Sequence, residues 1–108
     1  MIPQLAPRDL AAWRADAGRE PPFLLDVREP WEFAHCHIEG SVLVPLQTLP
    51  TCLEELPRNR DVVVICHHGN RSQVAAQWLE RAGYTQLHNL RGGVAAWADD
   101  VDPQMPRY

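Results

Sequence analysis

Short apolar runs along the chain predict four strands. The strongest is VVVIC at 62–66, where three valines and an isoleucine lead into a cysteine. FLLDV at 23–27 is apolar without clean alternation, which is typical of a strand covered on both faces. VLVP at 42–45 and QLHNL at 86–90 predict two weaker strands.

Helical spacing fills the segments between these strands. Pro7 suits a first helical position, and Gly18 would end the helix that it opens. The apolar residues of 72–82 share one helix face, and shorter helices are expected near Pro30 and at 94–97. Four leucines also follow helical spacing: Leu46, Leu49, Leu53 and Leu56. The alternation of strands and helices predicts an α/β fold with a parallel sheet and helices on both faces.

Length and charge narrow the possible functions. The 108 residues suffice for a single domain, 1–108, in which 99–108 is expected to be a frayed tail. A net charge of −4 argues against nucleic acid as a partner, and no apolar run approaches the roughly 18 residues of a membrane span. Three unevenly spaced cysteines, and a start without a signal-peptide pattern, predict a reducing, cytoplasmic location.

The segment CHHGNRS, 66–72, carries the candidate chemistry. Cys66 would lie at the carboxyl end of a parallel strand, where ligands bind in open sheets of this kind, and a helix begins soon after it. Loop N–H groups and a helix N-terminus attract anions and favour the thiolate form of a cysteine, which is the nucleophile. Arg71 adds a charge suited to an oxyanion, and Gly69 permits a tight turn. The alternative for Cys66 is simple packing in the core.

Three blocks of the sequence resemble the rhodanese-type sulfurtransferases. CHHGNRS resembles their C-x-x-G-x-R-S active-site loop. LLDVREPWEFAHCHIEGSVLVP, 24–45, is similar to their D-V-R-E…G-H-I-x-G-A…N-I-P segment, and LRGGVAAW, 90–97, is similar to their closing G-G-x-x-A-W. The blocks also keep the family's order and spacing. The resemblance implies a rhodanese-like fold, a five-stranded and mostly parallel sheet flanked by helices.

The same resemblance implies sulfane-sulfur transfer, with no cofactor expected. Cys66 matches the family nucleophile, which takes sulfur from a small anionic donor such as thiosulfate and holds it as a persulfide. Cyanide or a thiol, which can belong to a protein, then accepts the sulfur. Arg71 matches a position that stabilises the anionic donor. The loop residues expected to surround the substrate are His67, His68, Gly69, Asn70, Arg71 and Ser72.

Three other functions use the same fold differently. A sulfur-relay protein would load Cys66 from a protein desulfurase, whereas a noncatalytic rhodanese-like module would only bind a partner. Phosphatases of the dual-specificity cell-cycle type have a similar structure with five residues between the cysteine and the arginine. Four residues separate Cys66 from Arg71, which favours sulfur over phosphate transfer.

Asp26, Arg28 and the two loop histidines are further candidates for roles in the site. Asp26 matches a family aspartate and is expected to support the site through hydrogen bonds to loop amides or arginine side chains. Arg28 either lines the substrate pocket or pairs with Glu32. One of His67 and His68 is expected to contact the donor, and the other only shapes the loop.

Cys36 departs from the family pattern, because it stands where the family has the glycine of G-H-I. If that position has a positive φ, Cys36 is strained there; otherwise the local backbone differs. A second thiol could also resolve the persulfide as a disulfide. His37 is expected to be structural, and no metal site is expected because adjacent ligands on an extended chain point apart. Cys52 is interpreted as core, and Trp31 as a hydrophobic rim of the site.

Overall fold

A five-stranded sheet forms the centre of the structure, a computed structural model that describes all 108 residues. The strands are β1 Gln4–Leu5, β2 Phe23–Asp26, β3 Val42–Leu43, β4 Val62–Ile65 and β5 Leu87–Leu90. Their order across the sheet is β1-β5-β4-β2-β3, and every pairing is parallel. The predicted α/β fold with a parallel sheet is therefore confirmed. The edge strand β1, only two residues long, was not among the four predicted strands because its sequence contains no apolar run.

Helices cover both faces of this sheet. They are α1 Pro7–Ala15, α2 Pro30–His35, α3 Asn70–Arg81 and α4 Gly93–Asp100. Val62 and Val64 of β4 belong to the core that α3 covers, whereas Val63 and Ile65 belong to the core of α1 and α4. Both faces of β4 are thus buried, which explains why its sequence is apolar without alternation. No helix of the structure has the length and apolar character needed to cross a membrane.

The leucine series at 46–56 does not form the helix that its spacing predicts. The only regular turn there is a 3-10 helix, Leu49–Thr51. Pro50 lacks a backbone N–H, so the segment folds as successive turns instead of a continuous helix. Leu49 is nevertheless fully buried under α3's side of the sheet, and Cys52 is only half-buried, with its thiol donating to the Thr48 carbonyl oxygen at 3.4 Å.

Residues 102–108, called here the strap, also differ from the expected frayed tail. Asp99 and Asp100 still belong to α4, and the chain then turns back across the molecule. Met105 is buried in the core beside α1 and α4. Arg107 forms an ion pair with Asp99 at 2.9 Å, which holds the strap against α4. Burial of Met105 supplies the apolar contact that a frayed tail would lack.

Candidate active site

The loop that follows β4 is held between two helices. Gly69 has a φ of +100° and precedes α3, so the backbone turns sharply and the helix begins at Asn70, two residues earlier than the sequence predicts. On the other side, the N–H groups of Val94 and Ala95 in α4 donate to the carbonyl oxygens of Cys66 and His67 at 2.9 and 3.1 Å. The loop backbone is therefore fixed by α3 at its end and by hydrogen bonds from α4 at its start.

Cys66 lies at the bottom of this loop, with a relative exposure of only 1%. Its Sγ accepts a hydrogen bond from the Gly69 N–H at 3.1 Å and lies 3.2 Å from the Ser72 Oγ. Ser72 is buried and donates its hydroxyl to the Oδ1 of Asn89. The sulfur thus faces a backbone donor at the start of α3, an arrangement that can stabilise a negative charge on sulfur.

Arg71 does not extend freely into the site. Its two terminal nitrogens hold both carboxylate oxygens of Glu32, at 2.7 and 2.8 Å. This paired contact, and the hydrogen bond to Glu32 above all, raises the pKa of Arg71. The same hydrogen bond lowers the pKa of Glu32 to about 2, so the pair is fully charged at neutral pH. An anion that binds Arg71 must use its remaining N–H donors or displace this carboxylate.

The structure shows that Arg28 neither lines the substrate pocket nor pairs with the Glu32 carboxylate, the two alternatives derived from the sequence. Its side chain is fully buried, and its guanidinium donates to both carboxylate oxygens of Asp26, the closest bond being 2.8 Å. A further hydrogen bond of 2.6 Å reaches the carbonyl oxygen of Cys36. Its contact with Glu32 is limited to that residue's backbone oxygen, at 3.4 Å. Arg28 and Asp26 therefore form an internal ion pair at the end of β2, because the two side chains point to the same side of the sheet.

Burial acts on the charge of Arg28 in the opposite direction to its hydrogen bonds. Desolvation alone would lower the pKa of Arg28, but hydrogen bonds to Asp26 and to the Tyr108 hydroxyl outweigh it and leave the pKa raised. Arg28 is consequently a permanent positive charge, held close to the loop by a buried carboxylate.

An aromatic stack covers the outer side of the loop. The ring of His67 lies 3.9 Å from that of His68 and 4.0 Å from that of Tyr108, with only 11° between the His67 and Tyr108 planes. Burial, followed by the like charge of His68, lowers the pKa of His67. Both effects favour the neutral form of His67, and His68 is the exposed histidine of the pair.

The Tyr108 hydroxyl connects the strap to the charged groups. It donates to the Oε2 of Glu32 at 2.7 Å and accepts from the Nη1 of Arg28 at 2.9 Å. Its burial raises the pKa of Tyr108 to about 12. Tyr108 also contacts Trp31 edge to face at 5.6 Å, and Trp31 is 64% exposed beside it.

The remaining sequence candidates lie around this centre. Cys36 has a φ of −164°, which is extended backbone, so the strain expected of a positive φ does not arise. It is buried, with its Sγ 3.9 Å from Arg28. His37 stacks on Phe33 at 3.9 Å and bonds to the carbonyl oxygen of the same residue at 2.8 Å. Asn70, the first residue of α3, is exposed.

A cavity of about 140 Å³ lies beside the loop rather than over the sulfur. It is lined by His67 and His68 of the loop, by residues of α4, and by Arg107 and Tyr108 of the strap. Cys36 lines the cavity, whereas Cys66 does not. The Cys66 side chain, which is almost fully buried, therefore does not open onto this cavity.

Two residues of this site, Asn89 and Tyr108, were not identified from the sequence. Asn89 is buried in β5 and bonds to Ser72 and to the Gly69 carbonyl oxygen, so it braces the loop from beneath. Tyr108 lies eighty positions from Arg28, its hydrogen-bond partner. An asparagine inside a strand, where this residue type is uncommon, could have drawn attention to position 89; no local pattern marks position 108.

Comparison with known proteins gives consistent matches. The family model described as "Rhodanese-like domain" matches residues 7–100. A protein named "Sulfurtransferase" from Allochromatium vinosum is 40% identical over 82 residues, which cover 76% of this chain and 77% of that protein. "Probable adenylyltransferase/sulfurtransferase MoeZ" from Mycobacterium tuberculosis is 37% identical over 96% of this chain, which spans only 26% of that protein's length. The crystal structure of a rhodanese-like domain protein from Staphylococcus aureus superposes with a TM-score of 0.84 at 25% identity, covering 99% of each chain.

Proposed function

Because the chain belongs to the rhodanese-like domain family, we propose that it transfers sulfane sulfur through a persulfide on Cys66. The observation that carries the proposal is the position of the Cys66 sulfur, 3.1 Å from the Gly69 N–H at the start of α3. This donor and the nearby guanidinium of Arg71 favour a sulfur anion, both as the attacking thiolate and as the resulting persulfide.

The reaction has two half-reactions that return the enzyme to its starting state. In the first, the Cys66 thiolate attacks the outer sulfur of thiosulfate, a new S–S bond forms, and sulfite leaves with the electron pair of the broken S–S bond. In the second, cyanide attacks the outer sulfur of the persulfide, thiocyanate leaves, and the Cys66 thiolate is regenerated. A thiolate acceptor replaces cyanide with the same balance and leaves as a persulfide. Ping-pong kinetics are expected.

Intact-mass measurement after incubation with thiosulfate tests the proposal. The wild-type protein should gain one sulfur atom and lose it again when cyanide is added, whereas Cys66→Ala should gain none. Cys52→Ala is the matched control, because it removes a half-buried thiol far along the chain from the loop and should still gain sulfur. A gain of sulfur on Cys66→Ala would overturn the assignment of the nucleophile.

A role in sulfur relay is the second candidate, in which the donor or acceptor is a protein. Two observations favour it. The M. tuberculosis relative carries sulfurtransferase and adenylyltransferase in one name, and the positive charge of Arg71 is balanced by Glu32, which weakens the attraction of a free inorganic anion. In that case wild-type protein should gain sulfur from a cysteine desulfurase loaded with persulfide, and little from thiosulfate alone.

A further inference from the structure

Two buried polar side chains next to the Cys66 sulfur form a short hydrogen-bonded chain. The Ser72 hydroxyl lies 3.2 Å from the sulfur and also contacts the Oδ1 of Asn89. Ser72 is completely buried and Asn89 is 3% exposed, so water does not compete for these contacts. A hydroxyl has one proton to donate, and the two neighbours of Ser72 therefore cannot both receive it.

The orientation of the Asn89 amide decides which neighbour receives this proton. Its Nδ2 lies 3.1 Å from the carbonyl oxygen of Gly69, an atom that can only accept, so the N–H edge of the amide faces the loop. The same nitrogen donates at 2.9 Å to the Oε1 of Gln4, the residue that pairs with Asn89 between β1 and β5. The Nε2 of Gln4 donates in turn to the backbone oxygen of Ile2 at 3.1 Å. Two backbone oxygens thus fix the direction of the whole chain, and the Asn89 Oδ1 is left to accept from Ser72.

In this arrangement the Cys66 sulfur meets an oxygen lone pair on one side and an N–H group on the other. A thiol suits both, because its S–H donates to Ser72 while the sulfur accepts from the Gly69 N–H. A thiolate has no proton to give, so it keeps only the Gly69 donor unless the Ser72 hydroxyl turns away from Asn89. Asn89 and the thiolate hence compete for one proton.

The persulfide takes no part in this competition. Its negative charge lies on the outer sulfur, and the inner sulfur beside Ser72 carries neither a proton nor a charge. Retention of the Ser72 proton by Asn89 consequently deprives the free thiolate, and not the persulfide, of a charge-assisted hydrogen bond. A thiolate with fewer donors is also the better nucleophile, because the nucleophilicity of a thiolate rises with its basicity.

We propose that Asn89 is a positioning residue for sulfur transfer: it holds the Ser72 hydroxyl proton away from Cys66, which favours the persulfide over the free thiolate. The inference rests on the proposed sulfur transfer. Asn89 acts through Ser72, since the hydrogen-bond partners of the sulfur are Ser72 and the Gly69 N–H. Ser72, although it lies next to the sulfur, is thereby prevented from stabilising the thiolate.

Titration of the Cys66 thiol tests the competition without any turnover. The ¹³Cβ signal of Cys66 in the full chain labelled with ¹³C-cysteine, assigned by its absence in Cys66→Ala, is followed against pH. Asn89→Ala frees the Ser72 hydroxyl for the thiolate and should lower the midpoint by about 1 pH unit, the scale of one hydrogen bond to a charged group. Ser72→Ala removes a hydroxyl that does not donate to the sulfur, so its midpoint should not rise.

The double variant Ser72→Ala/Asn89→Ala separates this role from a mere loosening of the loop. If Asn89 acts through the Ser72 hydroxyl, the double variant should return to the midpoint of Ser72→Ala. A loosened loop would instead shift the midpoint with either residue at position 72. His88→Ala is the matched control, since His88 precedes Asn89 on β5 but binds Asp61, and it should keep the wild-type midpoint.

Sulfur loading is the second measurement. At a fixed ratio of thiosulfate to sulfite, and at a pH above all midpoints, the equilibrium constant for persulfide formation should fall about 10-fold in Asn89→Ala. It should stay near the wild-type value in the double variant, where no hydroxyl can stabilise the thiolate. Failure of thiosulfate and of a small alkyl persulfide alike to load Cys66, with the midpoints shifted as expected, would reject the sulfur transfer and keep the competition for the proton.

Three results would overturn the role of Asn89. They are an unchanged or higher midpoint in Asn89→Ala, a midpoint in Ser72→Ala raised by about 1 pH unit, and a double variant that keeps the shift of Asn89→Ala. If Asn89→Ala does not fold, Ser72→Ala decides alone, because a raised midpoint would show that the hydroxyl already donates to the thiolate and an unraised one that it does not.

Discussion

At the scale of single residues, Glu32 has the most connections in the site. Its carboxylate accepts from the Glu29 N–H, from both terminal nitrogens of Arg71 and from the Tyr108 hydroxyl. Glu32 therefore ties the start of α2, the loop and the strap to one buried group. Its pKa of about 2, lowered first by Arg71, reflects how strongly these donors favour the charged form.

Glu32→Gln should flatten the acid side of the stability profile. A carboxylate whose folded pKa is depressed stabilises the fold fully above its ordinary pKa of 4.5, and this contribution is lost as the pH falls toward 2. The variant should lose about 1–2 kcal/mol of unfolding free energy at pH 7 and show a weaker decline between pH 4.5 and 2, measured by urea unfolding. The exposed Glu54→Gln should keep the wild-type slope, and an unchanged slope in Glu32→Gln would contradict the assignment.

Asn89 fixes the direction of the hydrogen bonds around the sulfur. Its Nδ2 donates to the Gly69 carbonyl oxygen at 3.1 Å, so its Oδ1 must face Ser72 and accept the hydroxyl proton. The Ser72 oxygen can then only accept from the Cys66 thiol, and a thiolate at Cys66 depends on the Gly69 N–H for its hydrogen bond.

Asn89→Ala is expected to destabilise the fold by about 2–3 kcal/mol, because it leaves the Gly69 carbonyl oxygen and the Ser72 hydroxyl without their buried partner. Asn59→Ala, at an exposed position, should stay within about 0.5 kcal/mol of wild type. Urea unfolding of both variants checks the difference. Equal stability of the two variants would show that the buried amide contributes nothing.

At the scale of elements, α4 and the loop after β4 meet without space for a side chain. A Cβ on Gly93 would lie 2.3 Å from the Cys66 carbonyl oxygen and 2.4 Å from that of His67, and the φ of Gly93 is +60°. The same two oxygens receive the N–H groups of Val94 and Ala95. Gly93 is thus what allows the N-terminus of α4 to lock the loop.

Gly93→Ala should cost roughly 3 kcal/mol of unfolding free energy, because it combines a backbone clash with a left-handed φ. It should also broaden or shift the amide signals of the loop 66–72 in an NMR spectrum. Gly18→Ala is the control, since its new Cβ would come no closer than 3.4 Å to another heavy atom. A Gly93→Ala protein as stable as Gly18→Ala would refute this account of the contact.

The sequence predicted the elements where apolar runs or helical spacing met clear end signals, as in β4 and α3. It failed at the leucine series, since spacing alone does not register that Pro50 interrupts a helix. In the site, the sequence pointed to the loop 66–72 and to a hydrogen bond from Asp26 to loop amides or an arginine side chain, but it did not identify which carboxylate each arginine binds. Arg28 pairs with Asp26 and Arg71 with Glu32, choices that depend on how strand ends and α2 meet in space.

At the scale of the whole molecule, two hydrophobic cores lie on opposite faces of one sheet. Leu79 of α3 belongs to one core and Leu10 of α1 to the other, and the two cores share β4 through alternate side chains. Since neither core can form without β4, the chain should unfold as one cooperative unit.

Leu79→Ala and Leu10→Ala test this cooperativity. Each removes a fully buried side chain and should cost about 2–5 kcal/mol. In both variants, urea transitions followed by far-ultraviolet circular dichroism and by tryptophan fluorescence should shift together. A variant in which the two probes separate would show that one face unfolds independently and would argue for two folding units.

The parallel sheet also determines when the protein can fold as it is synthesised. Phe23 of β2 pairs with Val62, and Gln4 of β1 pairs with Asn89, so both of these pairings need a strand that is synthesised much later. Until β4 emerges, the apolar segment 23–27 has only the short strand β3 to pair with, and exposed apolar segments of this kind are what chaperones bind. Complete folding of the sheet is expected only after β5 has emerged, because both β1 and β4 pair with it.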